Sequence, residues 1–191
     1  MKKYAMVFDA GTGAGRCNLF DMSGRLVSYA YREWEYLKDL SSSNKEAMLF
    51  DAEQFKKILF SLCRKVITQA GISADEIVAV SATSQREGMV WLDRFGKEIY
   101  AAPSVDLRGE EAADILLGKE QFIKEITGLP VSGMFGLARL LWYKKFNKAV
   151  YDRIDTVMMI SDWICYLLCG SKVSEPSVAS SSQLFDVKNG K

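Results

Sequence analysis

An acidic residue at the end of a short apolar run, followed at once by glycines, opens this chain: Phe8-Asp9-Ala10-Gly11-Thr12-Gly13-Ala14-Gly15-Arg16. If the apolar run is a strand, the turn after it presents backbone amides and the Thr12 hydroxyl, groups suited to phosphate oxygens. Asp9 would then face a magnesium ion lying between carboxylate and phosphate. Two other phosphate-binding patterns fail on context. A dinucleotide turn needs a helix after its glycines, whereas strand-like Arg16-Cys17-Asn18-Leu19-Phe20 follows here, and a strand-end Asp repels a pyrophosphate unless a cation intervenes. A P-loop needs G-K-[ST], which does not follow. A plain hairpin with turn-forming glycines is the alternative.

The chemistry available is narrowed further by what the chain lacks. It has no histidine, which removes Ser-His and Cys-His nucleophile pairs, histidine zinc sites and histidine proton shuttles. Carboxylates, hydroxyls, Lys, Arg and backbone amides must do any chemistry. Cys165 and Cys169 share a helix face, but their apolar surroundings read as packing, and all four cysteines are expected reduced and packed. With 25 Lys and Arg against 24 Asp and Glu, the formal charge of +1 offers no general attraction to nucleic acid or to an acidic membrane. No apolar run reaches the length of a membrane span and the first residues do not read as a secretory signal, so a cytoplasmic protein without a membrane partner is expected.

Elements that could position these residues can be read in order. "KYAMVF", "RCNLFD" and "LVSYAYREWEY" read as an antiparallel meander with a tight turn at Gly24. Residues 37–48 read as an exposed loop. "DAEQFKKILFSLCRKVITQAG" is an amphipathic helix, with Asp51 and Gln54 spaced as a capping box and Gly71 as its stop. "EIVAVSATS" reads as a buried strand. "GMVWLDRFGKEIYAA" forms two strands about Asp93–Gly96. Helices follow through "GEEAADILL", "KEQFIKEIT" and "GLARLLWYKKF", then a short buried strand "DTVMMI". "SDWICYLLCG" is a helix capped by Ser161 and stopped by Gly170, and the chain closes on a strand-like "QLFDV". The class is α/β, a mixed sheet with an antiparallel opening meander and flanking helices.

Several segments resemble the FGGY carbohydrate kinases of the actin-like ATPase superfamily, whose domains have a ribonuclease H-like fold. "DAGTGAGRCNLFD" is similar to that family's first phosphate motif, D-x-G-T-[TS]-x-x-R. Asp9, Gly11, Thr12 and Arg16 match it; Gly13 stands where a hydroxyl residue is common. "SATSQREGMVWLDRFGKEI" resembles the family's substrate strand and hairpin. "PSVDLRGEEA" resembles its W-x-D-x-R segment, with Ser104 or Val105 in place of the aromatic. "TGLPVSGMFGLARLLW" and "ISDWICYLLCG...EPSVASSSQLFDV" resemble later blocks in the same order. The autoinducer-2 kinase branch carries the nearest likeness, followed by xylulokinases and glycerol kinases. Met134 stands where glycerol kinases present a tyrosine, which disfavours glycerol.

That resemblance implies ATP and Mg2+ as cofactors and a small sugar, ketose or polyol as acceptor. Asp9 would hold the metal, and Gly11, Thr12, Gly13 and Arg16 would hold the phosphates. Gln85, Arg86, Glu87 and Asp106 would hold the acceptor's hydroxyls. From the residues alone, Arg86 and Glu87 read equally well as a surface pair, Asp106 as the N-cap of the helix after it, and Arg16 as cover for a sheet edge. The resemblance also places the catalytic base and most of the adenosine pocket downstream of Lys191. Residues 1–191 are thus expected to be most of the N-terminal domain, inactive alone, with a homodimer left open. A non-catalytic sugar- or nucleotide-binding module of the same fold is the alternative.

Overall fold

The computed structural model of the chain describes residues 3–191. Alternation along the first strand sets the architecture. In β1 (Tyr4–Ala10), Tyr4, Met6, Phe8 and Ala10 are buried and the residues between them only partly so, as the two-residue period of a strand with one face on a core requires. β1 pairs antiparallel with β2 (Ala14–Asp21), and β2 with β3 (Leu26–Glu33). Gly24 closes the second turn at φ 83°, a backbone conformation that costs glycine little.

α1 (Ala52–Ala70) lays Phe55, Ile58, Leu59, Leu62 and Val66 on the core side of this sheet. Asp51 accepts the Gln54 amide at 3.0 Å, and Gly71 stops the helix at φ 64°. β6, named in chain order (Ile77–Ser84), then joins β1 in parallel and completes a mixed sheet in the order β3-β2-β1-β6. It is not the buried strand its composition suggests. As the sheet's edge it leaves Val78 51% and Val80 46% exposed. β-branched apolar residues favour a strand with cover on its faces, and the described residues do not provide that cover.

Between β3 and α1 the backbone is less regular. The run from Leu26 to Tyr36 breaks at Trp34, whose ring turns inward to lie 4.9 Å from that of Phe55. Within the expected loop, β4 (Leu37–Lys38) and β5 (Met48–Leu49) form a short antiparallel ladder.

A second sheet has the order β8-β7-β9. β7 (Met89–Leu92) and β8 (Glu98–Ala102) make the expected hairpin, with the Asp93 carboxylate accepting the amides of Phe95 and Lys97 at 2.9 and 3.0 Å. All of β7 is buried because it is a wall between two cores. Val90 and Leu92 join Phe8, Phe55 and Trp163, while Met89 and Trp91 join Tyr100, Trp142 and Tyr143.

After β8 the helical run Arg108–Leu116 forms as 3-10 turns. It is followed by α2 (Glu120–Thr127), α3 (Gly136–Phe146) and α4 (Lys148–Tyr151), then β9 (Thr156–Met159), α5 (Ile160–Cys169) and α6 (Pro176–Ala179). Gly109 lets the 3-10 run approach α3: a Cβ there would lie 2.9 Å from that of Ala138. Ser161 is not the cap of α5. Met159 takes the cap position, and the Ser161 amide donates to the Ser84 hydroxyl on β6 at 3.0 Å. The closing run Gln183–Val187 is not a strand; a 3-10 turn, Ser180–Ser182, precedes it. The four cysteines are free, but only Cys17 is fully buried and Cys169 is exposed.

Candidate functional site

The glycine turn connects β1 to β2, and Gly11 closes it by donating its amide to the Ala14 carbonyl at 2.9 Å. Each carbonyl from Gly11 to Gly13 is held by the protein. Gln85 Nε2 reaches Gly11 O at 3.3 Å, Trp34 Nε1 reaches Thr12 O at 3.2 Å, and the Trp34 amide reaches Gly13 O at 3.1 Å. In a trans peptide the C=O and N–H point opposite ways. The amides of Thr12 and Gly13 therefore face away from these partners, and neither has an acceptor among the described residues. Gly15 admits the indole that does the holding, since a Cβ there would fall 2.5 Å from a Trp34 ring carbon.

Asp9 and Arg16 stand opposite each other in the β1–β2 register and form a 3.3 Å ion pair, with side chains 36% and 51% exposed. The Arg16 guanidinium also lies 5.3 Å from the centre of the Tyr31 ring. An ion pair so open to water contributes about 0–1 kcal/mol, little enough to yield to a cation or a phosphate.

β6 delivers the second cluster to the same end of the sheet. The Gln85 amide donates to Ala10 O at 2.8 Å, and its side chain is fully engaged. Besides Gly11 O, Nε2 donates to the Tyr36 hydroxyl at 2.9 Å, while Oε1 accepts the Ser104 amide at 2.9 Å and the Ser104 hydroxyl at 2.8 Å. Gln85 thus joins the glycine turn to the segment after β8. Arg86 is exposed and Glu87 half-buried. Burial pushes the Glu87 carboxyl above the usual carboxylate range, against the opposing charges of Arg86 and Arg139. The backbone at Glu87 is left-handed, φ 60°, which residues with a bulky side chain rarely adopt.

Asp106 does not join this cluster as an open acceptor. It is fully buried, and its oxygens accept from Arg108 Nε at 2.7 Å, the Met48 amide at 3.1 Å, the Arg108 amide at 3.4 Å and the Tyr100 hydroxyl. Leu107, not Asp106, takes the cap position of the 3-10 run. Arg108 is equally buried; its Nη1 reaches Asp39 and the Tyr143 hydroxyl, both at 2.8 Å. Burial pushes Asp39 up, but Ser41 and Arg108 outweigh it and hold the carboxyl below the usual range. Burial, then the neighbouring Asp106 charge, drives the Tyr100 phenol far above its ordinary value.

Arg139 completes the picture and was not singled out by its sequence context, the apolar "GLARLLW". None of its surface is exposed. Nη1 donates to Glu87 O at 2.7 Å and Nη2 to Ser104 O at 3.0 Å. A lone cation inside an apolar helical run was the only available signal. Tyr36 and Ser104 are likewise recruited by the fold.

The donor set of the turn suits an anion: two outward amides and a hydroxyl beside a half-exposed carboxylate. Among the described residues no group of three or more acidic, Cys or His side chains could hold a metal by itself. One carboxylate nonetheless fits magnesium, which keeps waters and takes other ligands from substrate phosphates. No helix of the described residues is long and apolar enough to cross a membrane.

Residues 4–191 match the family model described as "FGGY family of carbohydrate kinases, N-terminal domain". The chain is 34% identical to autoinducer-2 kinase of Escherichia coli strain K12 over 97% of its own length and 36% of the relative's. Against autoinducer-2 kinase of Salmonella typhimurium the identity is 34%, over 96% and 35% of the two lengths. The chain therefore spans about a third of these relatives. In fold it is similar to xylulose kinase from Rhodospirillum rubrum, with a TM-score of 0.85 at 21% identity, covering 98% of this chain and 39% of that one. Glycerol kinase of Plasmodium falciparum, solved with ADP, superimposes with a TM-score of 0.84 at 20% identity over 100% of this chain and 39% of that one. The α/β class expected from the sequence, a mixed sheet with an antiparallel opening meander and flanking helices, is the fold observed, and it is shared with these sugar kinases.

Proposed function

Because this chain belongs to the FGGY family of carbohydrate kinases, as their N-terminal domain, we propose that it is the sugar-binding part of an ATP-dependent kinase acting on a hydroxyl of a small sugar, ketose or polyol. The observation that carries this reading is the outward pair of amides at Thr12 and Gly13, beside Asp9 and tied through Gln85 to the Arg86–Glu87 segment. Magnesium-ATP, when bound, supplies the phosphoryl group. The chain's own residues receive the phosphates on the Thr12 and Gly13 amides and the Thr12 hydroxyl, while Gly11, expected among the phosphate contacts, has its amide spent on the Ala14 carbonyl and shapes the turn instead. Asp9 would hold the metal, whose charge would offset that of the phosphates, and Arg16 beside it would add positive charge.

Arg86 donates to acceptor hydroxyls and Glu87 accepts from them, while Gln85 keeps the two clusters at fixed separation. Asp106 supports this site from beneath through Arg108 and does not touch the acceptor. The residue that takes the acceptor's proton is proposed to lie outside residues 1–191, as is most of the adenosine pocket, so the chain alone does not turn over. The likeness to autoinducer-2 kinases makes the autoinducer-2 precursor the first acceptor to try, with xylulose next. Cytoplasm, which supplies ATP and keeps thiols free, is the proposed location.

The test is coupled ADP release with magnesium-ATP, on this chain and on the longest natural protein that contains it, offered the autoinducer-2 precursor, xylulose and glycerol. Turnover by the longer protein only, with one acceptor preferred, is expected. Robust turnover by residues 1–191 alone overturns the placement of the base. No turnover by either overturns the kinase and leaves a binding module, to be examined by sugar titration.

A further inference from the structure

Arg139 is expensive to keep where it is. It lies in the first turn of α3, completely buried, and forms no ion pair among the described residues. Its Nε has no hydrogen-bond partner among the described residues. A buried cation with no carboxylate in direct contact, near the positive end of a helix, is disfavoured on both counts. A methionine would fill similar space without that cost.

What the guanidinium does hold is a strained piece of backbone. Glu87 sits at φ 60°, a conformation that is costly for a non-glycine residue and persists only where the surroundings enforce it. The Glu87 carbonyl accepts from Arg139 Nη1 at 2.7 Å, and the Ser104 carbonyl accepts from Nη2 at 3.0 Å. Gln85 Oε1 grips Ser104 through its amide and hydroxyl. One buried arginine therefore clamps the two segments that flank the acceptor site, and it does so at their main chains.

Resting on the kinase reading above, we propose that Arg139 is a positioning residue for the acceptor: it locks Glu87 in the left-handed turn that presents its carboxylate to the sugar. It touches neither sugar nor ATP. The charged groups facing the Glu87 carboxyl are Arg86 from its own segment and Arg139 from α3, and both oppose the upward push of burial. Loss of the Arg139 charge thus has a second readout, the titration of Glu87.

The experiment compares Arg139→Met with Arg139→Lys. Kinetics are measured on the longest natural protein containing the chain, and the Glu87 titration by carboxyl NMR on residues 1–191. Arg139→Met is expected to raise the sugar KM about 10- to 100-fold, the scale of misplacing a binding group. The KM for magnesium-ATP should not move, Arg139→Lys should recover part of the loss, and Glu87 should titrate at higher pH in the methionine variant. An unchanged sugar KM in a folded Arg139→Met protein, or parallel loss of sugar and ATP binding, overturns the proposal. If the wild type phosphorylates no acceptor, the kinase reading falls and the backbone of Glu87 decides for Arg139: backbone NMR shifts of residues 86–88 that leave the left-handed range in Arg139→Met support the clamp, and unmoved shifts overturn it. Should Arg139→Met fail to fold, Arg139→Gln, which keeps amide donors without the charge, carries the same comparison.

Discussion

Between Gly11 and Gly13 the protein engages every carbonyl and leaves the amides of Thr12 and Gly13 outward. Between Gln85 and Asp106 it engages side chains instead: Gln85 is saturated, Asp106 is sealed by Arg108 and Tyr100, and Arg86 and Glu87 form no ion pair among the described residues. The first region offers main-chain donors, the second two side chains beside buried ones that are already engaged. Main-chain sites depend on shape and tolerate most neighbours that leave the turn intact. Side-chain sites depend on supports that lie out of reach of the ligand.

The largest effect that would sharpen this contrast is on folding. Arg108→Met leaves Asp106 buried without its cation, and about 3–5 kcal/mol of stability should be lost, read as a lower urea midpoint. A midpoint close to wild type would mean that the segment from Gln85 to Asp106 does not rest on this pair. Asp9→Asn addresses the first region. It removes the proposed metal ligand but only an exposed ion pair, so kcat of the natural full-length protein should fall about 10²–10³-fold with the urea midpoint unmoved; equal losses of both would make Asp9 structural.

Next comes a pair of glycines two residues apart. Gly15→Ala should cost about 1–3 kcal/mol by overpacking against Trp34. Gly13→Ala, where a Cβ meets nothing within 4 Å, should stay within about 0.5 kcal/mol, and a reversed order would break the picture of a turn held only from Trp34's side. The smallest effect belongs to Glu87. Its carboxyl is raised by burial, so the stability it contributes is present below the unfolded pKa and lost as pH rises through the folded one. Glu87→Gln should therefore flatten that part of the stability profile and abolish the rise of sugar binding over the same pH range. A sugar-binding profile identical to wild type would remove Glu87 from the site.

Much of this was legible because local rules carried it. The β1 alternation, the Asp51 cap, the glycine stops at Gly71 and Gly170 and the β7–β8 hairpin each depend on neighbours within a few residues. Composition failed where the answer lay in what a face meets. β6 reads as buried yet forms an edge, and Ser161 reads as a cap yet sits inside α5 because Ser84 on another strand takes its amide. Asp106 looked like an open acceptor because an Asp near an Arg two positions on gives no sign that both are enclosed.

From sequence alone came the class of fold, the Asp9 turn with its suitability for phosphate, and the absence of any histidine chemistry. These follow from residue type and spacing, which short-range sterics and hydrogen bonding translate directly into backbone. Only the tertiary structure decided which polar side chains are free and which are spent. It engaged Gln85 and Arg108 in internal hydrogen bonds, left the Arg86 and Glu87 side chains without such bonds among the described residues, and brought Arg139 from a helix 52 positions away onto the Glu87 carbonyl. The reason is that a buried polar group must be satisfied by whatever packing brings beside it, and those partners are distant in the chain.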